Sequence, residues 1–161
     1  MRLVQLFLNT SDHKTGRELL DTPDRLAHWL SANCAEVESA GPADLRRAHQ
    51  LRDELGQMIA SGTNAASLEQ AGRRAKLHLS FSPAQLVPAA QGVDGALGTI
   101  AAAVYEAMRD GSWGRLKTCR NCGWAFWDDS KNRSAVWCSM QLCGSRLKVR
   151  RYRSRRKATR S

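Results

Sequence analysis

Apolar residues in the first 112 positions recur at the spacing of amphipathic helices. Leu26, Leu30 and Cys34 fall four residues apart and follow Thr22 and Pro23. Threonine can cap a helix and proline suits its first position, so this pattern predicts a helix that begins at Thr22-Pro23. Cys34 then lies on the apolar face. Because free cysteine is among the most buried residue types, we interpret Cys34 as a core residue rather than a site.

Three further helices follow from the same periodicity. The first begins at Gly41-Pro42 and ends at Gly62, with Arg52 interrupting its apolar stripe and Leu51 taking that place. A shorter helix, capped by Asn64, runs through Ala75. The clearest helix stops at Gly111, and its apolar face is formed by Leu97, Ile100, Ala101, Val104, Tyr105 and Met108.

Short extended segments separate these helices. The stretch RLVQLFL at the start predicts a strand, because it is brief and ends at the turn-rich residues 9–12. KLHLSF, at 76–81, alternates apolar and polar residues and predicts another. Pro83 and Pro88 bracket a further extended piece. The expected fold class is therefore α+β, with a mostly helical body and a few short strands.

Composition is that of an ordinary cytoplasmic protein. The chain has 161 residues, of which 42% are apolar, so it can bury a core. It has no apolar run long enough for a bilayer, and its first residues lack a signal-peptide pattern. We therefore expect a reducing cytoplasm, where clustered cysteines are more often metal ligands than disulfides.

The charge is divided unevenly along the chain. Residues 1–112 hold 11 Lys and Arg against 13 Asp and Glu, whereas residues 113–161 hold 14 against 2. We take this change as the domain boundary: a body at 1–112 and a basic module at 113–161. The body helices are expected to pack on each other rather than on the module. A charge run of this kind indicates an acidic partner, and nucleic acid above all; the alternative is a tail that only aids solubility.

Four of the five cysteines lie in the basic module. Two residues separate Cys119 from Cys122, fifteen separate Cys122 from Cys138, and four separate Cys138 from Cys143. Zn²⁺ in structural sites takes four ligands in a tetrahedron and favours thiolates. Gly123 suits the tight turn after the first pair. The spacing therefore predicts one structural zinc per chain. A redox pair or a disulfide framework is the alternative, but a redox CxxC is expected beside a βαβ pattern, which is missing.

The residues between and after the cysteines predict the shape of this module. WAFWDD and AVWC are good strand sequences around the turn-rich DSKNRS, so they predict a hairpin. Ser139 is a candidate helix cap that places Cys143 in the first turns. Knuckle, hairpin and helix give a treble-clef-like zinc finger. The expected small core beside the metal consists of Trp124, Phe126, Trp127 and Trp137.

An arginine-rich segment follows the last cysteine and predicts a basic helix. Its charge covers every side from Arg150 onward, so phosphates are its natural partners. The predicted nucleic-acid contacts include two residues of the hairpin turn and a larger set in the helix: Lys131, Arg133, Arg146, Lys148, Arg150, Arg151, Arg153, Arg155, Arg156 and Lys157.

These residues resemble the CGNR-type zinc finger proteins. The resemblance rests on CRNCGWAFWDDSKNRSAVWCSM and CGSRLKVRRYRSRR. The body is similar to the ABATE domain of the same proteins in LFLNTSD, LLDTPDRLAHWL, ADLRRAHQLRDEL and LVPAAQGVDGAL. The resemblance implies a bacterial, stress-related transcription regulator whose finger binds duplex DNA, with Cys119, Cys122, Cys138 and Cys143 as the zinc ligands.

The chain departs from that family pattern at two places. The signature tetrapeptide has Ser145 where the family has Asn, and serine offers one donor rather than two. Residues 134–137 read SAVW, where relatives often carry arginines.

The function expected from the sequence is zinc-dependent DNA binding in the regulation of transcription, in the cytoplasm at the nucleoid. The body is a candidate for dimerisation or for sensing a small-molecule effector, and Asn9 and Thr10 are candidate ligand-binding residues. The alternative is a zinc-stabilised adaptor for protein or RNA. We expect no enzyme activity, because a site with four cysteine ligands leaves no position for water.

Overall fold

The computed structural model describes residues 1–12, 14–62 and 65–145. About 52% of the described residues are helical, and the α+β class is confirmed. The helices are α1 (Arg2–Leu8), α2 (Pro23–Asn33), α3 (Pro42–Ser61), α4 (Ala66–Arg74) and α5 (Gly92–Arg109). The strands are β1 (Ser11–Asp12), β2 (Arg17–Glu18), β3 (His78–Phe81), β4 (Ala84–Val87), β5 (Leu116–Thr118) and β6 (Ala125–Trp127). They pair in antiparallel couples: β1 with β2, β3 with β4 and β5 with β6.

Helix α5 lies at the centre of the body core. Ile100 and Val104 are fully buried on it, and α1, α2 and α4 pack around it. Its closest neighbour is the C-terminal end of α4. Gly98 permits this approach, because a Cβ at that position would lie 2.1 Å from the Cβ of Ala75. The carbonyl of Ala75 in turn accepts hydrogen bonds from the backbone of the segment that leads into α5.

The predicted helix starts and stops are largely confirmed. Thr22 Oγ1 accepts a hydrogen bond from the backbone N–H of Arg25 at the start of α2. Gly62 ends α3 with a left-handed φ of 72°, which glycine adopts without strain. The predicted cap Asn64 lies outside the described residues. Ser67, in the first turn of α4, bonds through its N–H and its hydroxyl to the Glu54 carboxylate of α3, at 2.7 Å each.

The predicted strand at the start of the chain is wrong, because these residues form helix α1. Val4, Phe7 and Leu8 are buried on one face of it, while Leu6 is 42% exposed. Apolar residues at i, i+3 and i+4 form one helical face, and this spacing decides the outcome over the shortness of the run. The ring of Phe7 packs on that of Trp29, with centroids 5.5 Å apart.

The extended segments predicted at 76–81 and between Pro83 and Pro88 are confirmed, and they form the hairpin β3–β4. Its register runs from His78 opposite Val87 to Phe81 opposite Ala84. The apolar side chains of β3 do not enter the core: Leu79 is 63% exposed and Phe81 is 86% exposed.

The core of the body extends into the cysteine module. Leu116 of β5 and Ala125 of β6 are each 2% exposed and belong to the same buried cluster as Val4 and Val104. Trp127 packs against this cluster as well. The expectation that the body packs only on itself is therefore wrong, because the hairpin β5–β6 covers α1 and α3. A functional boundary near residue 112 stays a proposal.

Replacing Gly98 by Ala tests the packing of α4 against α5. We expect a loss of about 1–3 kcal/mol in the free energy of unfolding, because the added methyl group overlaps Ala75 in a filled core. The matched control is Gly56→Ala in α3, where a Cβ meets no atom within 4 Å. This control should stabilise the protein by about 0.5–1 kcal/mol, since alanine favours the helix interior. Urea denaturation measures both values, and equal effects of the two variants would contradict the packing described.

Candidate metal centre

The first cysteine pair lies in the turn that joins β5 to β6. Cys119 follows β5 directly, and its N–H donates to the carbonyl of Trp124 at 2.9 Å. The N–H of Gly123 donates to the carbonyl of Cys119 at 2.8 Å. Gly123 has a φ of 74°, so the predicted need for glycine at this turn is confirmed. The turn places both sulfur atoms on one side of the hairpin end.

The second pair lies at the start of a wide helical turn, Met140–Gly144. Ser139 Oγ accepts the N–H of Leu142 at 3.2 Å, which confirms the predicted cap. The N–H groups of Cys143 and Gly144 both donate to the carbonyl of Ser139. The Met140 side chain packs over Gly144, and a Cβ there would lie 2.8 Å from its sulfur. The turn thus orients Cys143 towards Cys138.

The four sulfur atoms converge with the dimensions of a zinc tetrahedron. Cys122, Cys138 and Cys143 have mutual Sγ–Sγ distances of 3.6–3.7 Å, and all four sulfurs, including that of Cys119, lie within 4.8 Å of one another. Zn–S bonds of about 2.3 Å in a tetrahedron give sulfur–sulfur edges of about 3.8 Å. A disulfide needs about 2.05 Å. The residues therefore fit zinc, and the four predicted ligands are brought together.

The pKa values of the cysteines also indicate that the four sulfur atoms favour a bound cation. Burial raises the pKa of Cys119, but backbone N–H groups, first that of Cys138, outweigh burial and bring this pKa to about 6. Burial and hydrogen bonds from neighbouring thiols raise the pKa of Cys138 and of Cys122. Four thiolates in one small volume repel each other, so they need a metal ion to ionise together.

The predicted hairpin between the two cysteine pairs is wrong. β6 pairs with β5 on its N-terminal side, and residues 135–138 form no strand. The Asp128 side chain is fully buried, and its Oδ2 accepts from Lys117 Nζ at 2.6 Å and from the N–H of Ala135 at 3.0 Å. Its Oδ1 accepts the N–H and hydroxyl of Ser130.

Hydrogen bonds to this carboxylate hold residues 128–135 in a compact loop. They take the place of the backbone pairing that the predicted hairpin would have made. The Lys117 and Ser130 hydrogen bonds hold the pKa of Asp128 well below its usual range. Neither Asp128 nor Lys117 was predicted from the sequence as a structural residue. The Asp-x-Ser spacing at 128–130 is the signal that indicates such a turn.

The predicted small core beside the metal is only partly right. Phe126 is buried against Cys119 and Cys143, and Trp137 packs against this group. Trp127 instead packs on the body core, and Trp124 is 38% exposed. The alternation of a strand explains the difference, because Phe126 and Trp127 point to opposite faces of β6.

Asn9 fastens the hairpin to the body. Its Nδ2 donates to the carbonyl of Ala125 at 2.9 Å, and its Oδ1 accepts the N–H of Ala125 at 2.8 Å. The side-chain amide thus occupies the place of a third strand beside β6. Thr10 is 1% exposed, donates to the carbonyl of Phe7 at 2.7 Å and accepts from Arg52 at 2.9 Å. Both residues border a cavity of about 130 Å³ shared with Trp124, so ligand binding by them stays a proposal.

Two of the predicted nucleic-acid contacts lie in the described residues. Lys131 and Arg133 are both exposed in the loop that Asp128 closes. Arg133 has a φ of 50°, and its carbonyl accepts a hydrogen bond from Lys117 Nζ. Ser145 Oγ donates to the carbonyl of Met140 at 3.0 Å, which serves the helical turn. The predicted basic helix, with Arg146, Lys148, Arg150, Arg151, Arg153, Arg155, Arg156 and Lys157, lies outside the described residues.

Comparison with protein families assigns both parts of the chain. The ABATE model, described as "Putative stress-induced transcription regulator", matches residues 1–111, more than half of the sequence. The chain belongs to the ABATE family. In this ABATE protein a second model, the CGNR zinc finger, matches residues 115–156 and includes all four converging cysteines. The resemblance drawn from the sequence is therefore confirmed.

The remaining comparisons add no further family to these two. A search of curated proteins finds none that matches this ABATE protein. The two matching families are regulatory and zinc-finger families rather than enzyme families. Within the described residues, no helix is long and apolar enough to cross a membrane.

Metal analysis of the purified protein should give about one zinc per chain, and X-ray absorption should show four sulfur neighbours at about 2.3 Å. Cys122→Ser should lose the zinc, because serine cannot supply the soft ligand. The control is Cys34→Ala, which removes the fifth cysteine at the end of α2, where burial raises the pKa of the thiol to about 12. This control should keep its zinc. A zinc-free parent with four freely reactive thiols would contradict the site.

Proposed function

We propose that this ABATE protein binds duplex DNA through its CGNR finger and the basic segment that follows, and thereby regulates transcription. The observation that carries the proposal is the direct attachment of a strongly basic segment to a metal-centred module. Residues 113–161 hold 14 Lys and Arg against 2 Asp and Glu, and nine of these basic residues follow the last zinc ligand, Cys143. Such a charge matches the phosphate backbone of nucleic acid.

The fixed position of the finger supports DNA rather than a diffuse polyanion as partner. Asn9 binds the hairpin to the body, and Asp128 closes the loop that presents Lys131 and Arg133. Basic groups held in a defined arrangement can select one register along a duplex, whereas a loose tail binds phosphates in any register. The family description of the body, as a stress-induced transcription regulator, supports the same role.

Zinc would serve this function as a structural ion. The four cysteines hold it and leave no position for water or substrate, so we infer no catalytic role for the site. We propose a cytoplasmic protein associated with the nucleoid. A homodimer formed by the body and a small-molecule effector are further parts of this proposal.

Salt dependence of binding tests the role of the basic segment. Affinity for duplex DNA should fall with salt with a log–log slope of about −0.9 per phosphate neutralised. Arg155→Ala should weaken binding to all sequences and flatten the slope by about one unit. Arg150→Ala, nearer to Cys143 in the sequence, should cost about 1–3 kcal/mol and relax the preference at one base position selected from random duplexes.

The matched control is Arg73→Ala, which removes an exposed arginine of α4 paired with Glu69 at 2.9 Å. It should bind DNA like the parent. If Arg150→Ala and Arg155→Ala bind every duplex as the parent does, the basic segment is not the DNA-binding element. Equal or tighter binding to single-stranded RNA would favour the RNA-binding or adaptor alternative.

A further inference from the structure

A cleft of about 510 Å³ lies between helix α3 and the first zinc knuckle. The body contributes α3 and Leu8 to its walls, and the finger contributes Thr118, Gly123 and Ala125. Small-molecule sites in proteins have volumes of about 300–1,000 Å³ and combine apolar walls with a few polar groups. The cleft meets this description and borders the turn that holds Cys119 and Cys122.

Two small residues on α3 leave open space in the cleft. Gly56 and Ala60 stand one turn apart on this helix and both line it. Glycine in a helix interior costs about 0.5–1 kcal/mol relative to alanine. Packing does not require Gly56, because a Cβ there meets nothing within 4 Å. The open space beside Gly56 is part of the cleft.

A buried arginine in the wall has an unmet hydrogen-bonding group. Arg52 is 6% exposed, and its two terminal nitrogens bind the Glu18 carboxylate at 2.7 and 2.6 Å. Its Nε has no hydrogen-bond partner, the only such buried side-chain atom in the described part of the chain. Asp53 Oδ1 lies 3.8 Å from Nε, beyond hydrogen-bond distance. Both side chains line the cleft.

The charge of the walls indicates the class of ligand. Glu18 binds both terminal nitrogens of Arg52, while Asp53, whose side chain is 63% exposed, makes only a long ion pair of 3.8 Å with Arg52 Nε. Two carboxylates against one guanidinium leave an excess of negative charge at the cleft. Gln57 adds an amide, and Leu8 and Ala125 add apolar surface. A primary amine would bind Asp53, and an apolar body would cover the rest.

We propose that this cleft is a binding site for a small organic amine with an apolar body. Such a molecule contacts α3 and the zinc knuckle at once, so it stabilises the docking of the finger on the body. The proposal names a site for an effector and does not depend on DNA binding, so either can fail without the other.

The test uses the full-length zinc protein and 2-phenylethylamine as the probe, with the neutral 2-phenylethanol as its matched control. Two-dimensional NMR should show saturable shifts of the Gly56, Thr118 and Gly123 amides, with half-saturation at about 1–10 mM, as suits a fragment. The amine should bind about three to five times more tightly than the alcohol, because it pairs with an exposed carboxylate. Added salt should reduce this ratio.

Three variants decide the assignment. Asp53→Asn should make the amine and the alcohol bind alike. Gly56→Leu should abolish both sets of shifts while zinc content and thermal stability are kept, because its side chain extends into the cleft from a position where a Cβ meets no atom within 4 Å. Ala60→Leu, at an exposed position, fills the same space and serves if Gly56→Leu does not fold. Absence of saturable shifts in the parent, or unchanged binding in the filled variants, would overturn the proposal.

Discussion

Four thiols must lie within a few ångströms of one another, and this requirement organises residues 116–145. The knuckle after β5 brings one pair, and the capped turn at Ser139 brings the other. Residues 128–135 only have to cross the gap between them, and the buried Asp128 carboxylate folds them into a compact loop with hydrogen bonds to Lys117, Ser130 and Ala135. A module this small gains much of its folding free energy from the metal.

The zinc module is joined to the body by packing as well as by the chain. Ala125 illustrates this: it lies in the strand next to the knuckle, it is buried in the body core, and its backbone is held by Asn9 from the opposite end of the sequence. The knuckle therefore has a fixed place on α1 and α3. Under the proposed function, a change in the body could reach the finger through this packing, and a small molecule in the proposed site beside Gly56 would touch both parts.

The sequence was sufficient wherever one local rule determined the outcome. The cysteine spacing identified the metal ligands, and Thr22, Gly62 and Ser139 marked helix ends through their side-chain or backbone chemistry. It was insufficient where partners are distant in the chain. RLVQLFL suits a strand by its length, but Val4, Phe7 and Leu8 have helical spacing, and their burial in the core around α5 selects the helix. Residues 135–138 have the composition of a strand, but hydrogen bonds from Lys117 to Asp128 and Ala135 hold this segment in a loop instead of a paired strand. Asn9 and Ala125 are 116 positions apart, and no local sequence pattern predicts their hydrogen bonds.

The central claim is that zinc and the body core support one folded unit. The most direct measurement is thermal unfolding of the full chain, followed by circular dichroism of the helices, before and after zinc is removed with a chelator. We expect one transition in the zinc protein and a lower Tm for the body helices without zinc, because Leu116 and Ala125 lose their support. Asn9→Ala should also lower Tm, whereas Asn33→Ala, which removes a bond within α2 only, should not. A body transition that is unchanged by zinc removal would contradict the account.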